Sequence, residues 1–342
     1  MCRRRQTPLD SLIQPLRALL PILWLCGLSF GCSVKGMAMN SLANSLSGGG
    51  AGVYLTDNDP VLVGQALPFS LKLMETILQE TPEHEGLLVA TASAFVMYGH
   101  GWVQQPATEL QALDFNHAKA EKVRAKKLFL RGRDYAGEAL ELKIPGVLLD
   151  LRTDAASAVT RFDKEDIPAM YWYAAALGSA ISADKNDMDL VADLPIVSAL
   201  MNRALDLDES WNSGAIHEFL MVVDASDPAG EGEIGVEAHF LRAMELNQGR
   251  SIGPLVSLAE GLCVQEQDRE RFTSLLREAL AFDADAYPDT RLANLISQQH
   301  ARWLLAEIDE FFFADGEEHS RGALGPTASF ALHGGLFRWP RQ

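Results

Sequence analysis

Between Val61 and Glu80 the apolar residues Leu62, Ala66, Phe69, Leu73 and Ile77 return at three- and four-residue steps. That is the period of one helical face, with Pro68 expected to kink or divide the helix. Leu87 to Gln104 is apolar on almost every side and holds Phe95, Met97, Tyr98 and Trp102, as expected of a helix enclosed by others. Helical stripes follow over Phe115–Leu130, Tyr135–Lys143 and Val147–Ala158, separated by Leu130-Arg131-Gly132-Arg133-Asp134-Tyr135 and by Ile144-Pro145-Gly146, both expected to turn. Acidic residues just before a proline mark two helix starts, at Asp57-Asn58-Asp59-Pro60 and in Asp163–Pro168. Such side chains cap free backbone N–H groups, and proline in the first turn forfeits no hydrogen bond. Towards the end, Gly253–Gln265 and Asp268–Phe282 pair as a hairpin. Thr290–Phe313 then reads as a lone amphipathic helix of the kind that caps a stack.

A short phrase punctuates this pattern: small, apolar, any, apolar, acidic or amide. It occurs at Ala204-Leu205-Asp206-Leu207-Asp208, at Ala243-Met244-Glu245-Leu246-Asn247 and at Ala279-Leu280-Ala281-Phe282-Asp283, spaced 39 and then 36 residues apart. Weaker echoes lie at Ala139-Leu140-Glu141-Leu142 and Ile77-Leu78-Gln79-Glu80-Thr81-Pro82. The period is close to the roughly 34 residues of tetratricopeptide helix-turn-helix repeats. The expectation is an all-α fold in which tetratricopeptide-like helical hairpins form a curved solenoid over residues 57–313.

The flanks differ from this body. Arg3, Arg4 and Arg5 precede a nearly unbroken apolar run from Ala18 to Phe30, the plan of a secretory signal and too short to span a bilayer for good. Residues 1–31 are therefore expected to be a signal peptide. Leu28-Ser29-Phe30-Gly31-Cys32 is similar to a bacterial lipobox, which would make Cys32 the lipidated first residue, the rival being an ordinary signal peptidase site or an uncleaved anchor. A flexible tether over 32–56 follows, with Met39 to Leu46 as a short helix or tether and Gly48-Gly49-Gly50-Ala51-Gly52 as a joint. The glycine-rich, polar stretch 314–342 is expected to be largely disordered. Of the four cysteines only Cys263 would remain free in the body, in the apolar Leu262-Cys263-Val264, so stability has to come from helix packing. The net charge of −17 repels phosphate backbones and excludes nucleic acid as a natural ligand. One basic cluster, Lys119, Lys122, Arg124, Lys126 and Lys127, stands out against it as a solvated face or a contact for an anionic partner or membrane headgroups.

No arrangement for catalysis emerges. His217-Glu218 lacks the second histidine of a zinc-protease helix, and there is no nucleophile elbow, phosphate loop or dinucleotide fingerprint. No catalytic residue, metal or cofactor is expected. The remaining candidates are the side chains Phe95, Tyr98, Trp102, Tyr171, Trp172, Trp211, His217, Phe219 and Trp303, on helices that ought to face inwards. They either pack a core or line a concave surface that takes a ligand or partner.

Several phrases in order resemble TatT, the tetratricopeptide-repeat lipoprotein family associated with tripartite ATP-independent periplasmic (TRAP) transporters. They are Asp57-Asn58-Asp59-Pro60 with Ala66-Leu67-Pro68-Phe69-Ser70-Leu71-Lys72, then Leu130–Tyr135, Tyr171-Trp172, Ala215-Ile216-His217-Glu218, and Ala301-Arg302-Trp303-Leu304-Leu305. The resemblance implies a non-enzymatic, homotrimeric envelope lipoprotein facing the periplasm; Ser33 after the cysteine, where an aspartate commonly retains such proteins at the inner membrane, favours the outer membrane. It further implies partnership with a TRAP-type periplasmic solute-binding protein and an apolar channel or cleft for a hydrophobic small molecule. The rival is a scaffold lipoprotein of an envelope-assembly complex with no small-molecule ligand, and an enzyme is the third class.

Overall fold

The computed structural model describes residues 35–48, 50–226 and 232–313. The signal segment, Cys32 and the tail 314–342 lie outside the described residues, as does much of the turn expected over Ala225–Gly230. Every regular element among the described residues is helical. Helix α1 covers 35–48, α2 Gly50–Leu55, α3 Pro60–Glu80 and α4 Glu85–Gly99. A π-helical turn, His100–Gln104, carries α4 into α5 (Gln105–Leu110), and α6 (Phe115–Lys143) runs back along them. Short helices α7 (Val147–Thr153) and α8 (Ala155–Ala158) lead to α9 (Ile167–Ala183), α10 (Met188–Val191), α11 (Leu194–Asp208), α12 (Ala215–Ser226) and α13 (Gly232–Asn247). The last run is α14 (Gly253–Leu258), a second π-helical turn (Ala259–Cys263), α15 (Val264–Glu266), α16 (Arg269–Ala281) and α17 (Arg291–Ala306).

The centre of the main core is built by α4 and α9, the two helices that are apolar all round and buried on nearly every side. Helix α6 packs against both, α11 packs against α9, and α12 against α13. The alanines of the recurring phrase, Ala139, Ala204, Ala243 and Ala279, are at most 1% exposed. A small side chain at each is what lets neighbouring helices come close.

Several starts follow the expected capping chemistry. The Asp59 carboxylate accepts from Val61 N and Leu62 N, each at 3.0 Å, with Pro60 in the first turn. Asp163 and Asp166 form a reciprocal capping box ahead of Pro168.

Four expectations are corrected. Pro68 neither divides nor ends α3, which runs unbroken from Pro60 to Glu80, and the proline itself is exposed. Leu130–Tyr135 is not a turn but the middle of one continuous helix, and Gly132 serves close packing there. A Cβ on it would come within 3.0 Å of the Ala92 backbone oxygen and 3.3 Å of Phe95. The segment 32–56 is expected to be flexible, with Met39 to Leu46 a short helix or tether; the helix is there as α1, but it is docked rather than loose, through a Lys35–Glu80 ion pair of 2.7 Å, a His84–Asn44 hydrogen bond of 2.9 Å and the fully buried Ala43. Helix α17 ends at Ala306 and is no lone cap: it packs on α14 and α16 and also on α2 and α3. Leu292 and Ile296 share a buried cluster with Val63 and Leu67, and Arg291 donates to the Thr56 carbonyl at 2.9 Å. The last long helix thus meets the first.

Two helical stretches, Pro60–Glu80 and Glu85–Leu110, are long and apolar enough by composition to cross a membrane. The second is mostly covered by other helices, so its apolarity belongs to the core.

Candidate functional site

The most unusual chemistry lies where α5 and the second π-helical turn meet α17. Along α17, Leu292, Ile296, His300 and Leu304 follow at four-residue steps, so His300 occupies a position of the apolar stripe and is 1% exposed. Its Nδ1 is 3.2 Å from Glu109 Oε1 on α5, and its Nε2 is 3.1 Å from Glu260 Oε2 in the second π-helical turn. Gln105 Nε2 donates to the same Glu109 oxygen at 3.2 Å. With a carboxylate on each ring nitrogen, both nitrogens must donate, so the imidazole is held as the cation. Burial alone would push it towards the neutral form. The Glu260 charge and the hydrogen bonds to Glu109 and Glu260 outweigh that and raise its pKa to about 9. Trp303 stacks on the ring at 5.4 Å with an interplanar angle of 17° and shields one face from water.

A second ionisable chain joins α12 to α13. His217 Nδ1 is 2.8 Å from His239 Nδ1, and His217 Nε2 is 3.3 Å from Glu209. Arg242 grips Glu209 through Nε at 3.1 Å and Nη2 at 2.5 Å, while Asp224 lies 3.6 Å from His239 Nε2. Burial and the neighbouring His239 lower the pKa of His217, against the opposing pull of Glu209.

The aromatic candidates fall into separate groups. Tyr171 and Trp172 are fully buried, edge to face at 5.1 Å, and Tyr171 also meets Trp211 at 4.7 Å and Phe219 at 6.2 Å. Phe95 is buried against Tyr135 at 5.9 Å, with the Arg131 guanidinium 5.1 Å from its ring centre. Tyr98 and Trp102 stack at 6.4 Å beside the seam where α17 closes on α3. The Trp102 Nε1 donates to the Pro60 carbonyl at 2.9 Å, and a Cβ on Gly64 would run into the indole. Trp303 belongs to the His300 cluster. So four of the nine candidates converge, two make the seam, and His217 sits in a polar chain of its own.

Cys263 is completely buried, and burial pushes its thiol up to about 12, well away from a reactive thiolate. Lys126 in the basic helix is already engaged: Asp184 and Asp187 hold it at 2.9 and 2.6 Å.

His300, Glu109 and Glu260 were not legible as a group, being separated by 40 and 191 positions. The one local signal was a histidine placed on an otherwise apolar stripe.

Over residues 56–312 the chain matches the TRAP transporter T-component family, and it belongs to that family. Membership makes it an accessory component of a transport system of the cell envelope, with a non-enzymatic role. It is also 29% identical over 306 residues to an uncharacterized protein of Treponema pallidum (strain Nichols), covering 84% of this chain and 95% of that one.

Proposed function

We propose that the protein is a lipoprotein anchored through Cys32 that faces the periplasm, docks the solute-binding protein of a TRAP-type system, and shelters a hydrophobic ligand during exchange. The family match across 56–312 carries this reading. Its helices are tetratricopeptide-like hairpins, marked by the buried alanines at the recurring phrase, that curve until α17 reaches α3. The ligand-facing group is Tyr171, Trp172, Trp211 and Phe219, in which Trp211 is half exposed and offers an entrance. Three such bodies form a homotrimer at the outer membrane.

Native mass spectrometry of the lipid-free body tests these points together. A trimer mass with an excess mass removable by organic extraction supports the reading, and a ligand-free monomer opposes it. Radiolabelled palmitate incorporated by the wild type but not by Cys32→Ala supports the anchor.

A second reading is a scaffold for an envelope-assembly complex without a small molecule. It is favoured by the tight burial of Tyr171, Trp172 and Phe219, none more than 1% exposed, which is how a filled core looks. A trimer free of retained ligand that co-purifies with a membrane barrel or a polymer-synthesising enzyme would select it.

A further inference from the structure

We infer that the amino-terminal end of α6, with the loop before it, is the docking surface for an acidic face of the partner protein. This inference rests on the proposed partnership with a solute-binding protein. Phe115, Lys119, Val123 and Lys127 follow at four-residue steps and form one exposed row, with Leu113 just ahead. Leu113 is 86%, Phe115 62% and Val123 45% exposed, an apolar content out of place on a solvated helix face.

The charge of the row is unspent. The two acidic residues of the stretch are engaged within the chain: Asp114 caps the helix by accepting from His117 N at 3.0 Å, and Glu121 pairs with Arg124 at 2.9 Å. Arg124 also reaches Tyr98, and Lys126 is taken by Asp184 and Asp187. Among the described residues Lys119, Lys122 and Lys127 make no ion pair, and Lys122 reaches only the neutral Gln111. On a chain of net charge −17 this leaves a local cationic patch studded with apolar side chains. Such a patch complements a partner that is acidic with an apolar centre.

Position separates this occupant from a membrane surface. Lys35, three residues after Cys32, is pinned to Glu80 at the carboxyl end of α3. The patch lies at the other end of the same hairpin, where Trp102 meets Pro60 and Tyr98 meets Arg124. At about 1.5 Å per residue α3 is roughly 30 Å long, so the patch lies about that far from Lys35.

The test is titration calorimetry of the purified lipid-free protein with the purified solute-binding protein of its transport system, at low and high salt. The variants are Lys119→Glu/Lys127→Glu, Phe115→Ser and the conservative Lys119→Arg/Lys127→Arg, each checked by circular dichroism. Charge reversal is expected to weaken binding at least about tenfold and flatten its salt dependence, while the arginine pair retains wild-type affinity. Phe115→Ser weakens binding without changing the salt dependence. Wild-type binding with the reversed variant within about twofold overturns the surface but leaves the partnership standing. Failure of the wild type to bind overturns the partnership, and the inference with it. Reversal-sensitive flotation with phosphatidylglycerol vesicles, or a reversal-sensitive fall in oligomer mass, would reassign the patch to lipid or to a second copy and overturn it as well.

Discussion

Removing the charge at His300 unlatches the closure between the amino- and carboxyl-terminal helices, and its cost can be followed with pH. The imidazole titrates near 6.5 in an unfolded chain and at about 9 when buried between Glu109 and Glu260. A raised pKa means the folded state holds the proton more tightly. The stabilisation is therefore complete below about 6.5, declines by about 1.4 kcal/mol per pH unit above it, and is gone once the pH passes about 9. Over that window the proton is worth about 3 kcal/mol, a sizeable share of the roughly 5–15 kcal/mol that holds most domains folded.

Urea unfolding of the wild type and of His300→Gln at several pH values from 6 to 10 isolates this contribution, because lysines and tyrosines that titrate in both proteins cancel in the difference. The wild type should be the more stable at pH 6 by about 3 kcal/mol or more, since the variant also leaves two carboxylates facing each other. The gap should narrow steadily towards pH 9. A difference that stays level from pH 6 to 10 would refute the reasoning, because His300 would then be neutral in the folded protein.

The other ionisable chain has the opposite sign. The lowered pKa of His217 means stability present above about 6.5 is lost as the pH falls below that value, so the protection factors of amides in α12 and α13, taken against the intrinsic exchange rate at each pH, should fall at pH 5 in the wild type and less so in His239→Gln. Gly64→Ala should cost about 1–3 kcal/mol in urea unfolding, because the Trp102 indole occupies the space of the new methyl and is held there by Pro60. Phe219→Ala should cost about 3–5 kcal/mol if the ring serves the core, and a loss under 1 kcal/mol accompanied by loss of retained ligand would instead make it a binding surface. Lys126→Glu should lower the melting temperature, because it sets a third carboxylate beside Asp184 and Asp187; an unchanged melting curve would show that this ion cluster contributes nothing.

The parts of the fold that were legible are those encoded locally. Asp59 before Pro60 and Asp163 before Pro168 announce helix starts through groups a few residues apart. Ala204, Ala243 and Ala279, singled out by the recurring phrase, are all buried. Gly132 shows how the same logic misleads: a glycine flanked by arginines resembles a turn, yet its value lies in the approach of α4, which is distant in sequence. The closure by α17 was hidden for a related reason, since Leu292 is an ordinary stripe residue until Val63 is known to lie opposite it. The grouping of the candidate aromatics could not be read from their spacing, and the His300 cluster depends on a π-helical turn at Glu260 that no spacing rule announces.

That closure bears on how the protein is made. A ribosome releases Thr56 long before Arg291, its partner 235 positions later. Until then Val63 and Leu67 have only part of their cover, from Tyr54, Tyr98 and Trp102, and an incomplete chain carries an adhesive edge that its own final stretch completes. Products truncated before Arg291 should accordingly be substrates for chaperones and proteases, while the finished chain seals itself.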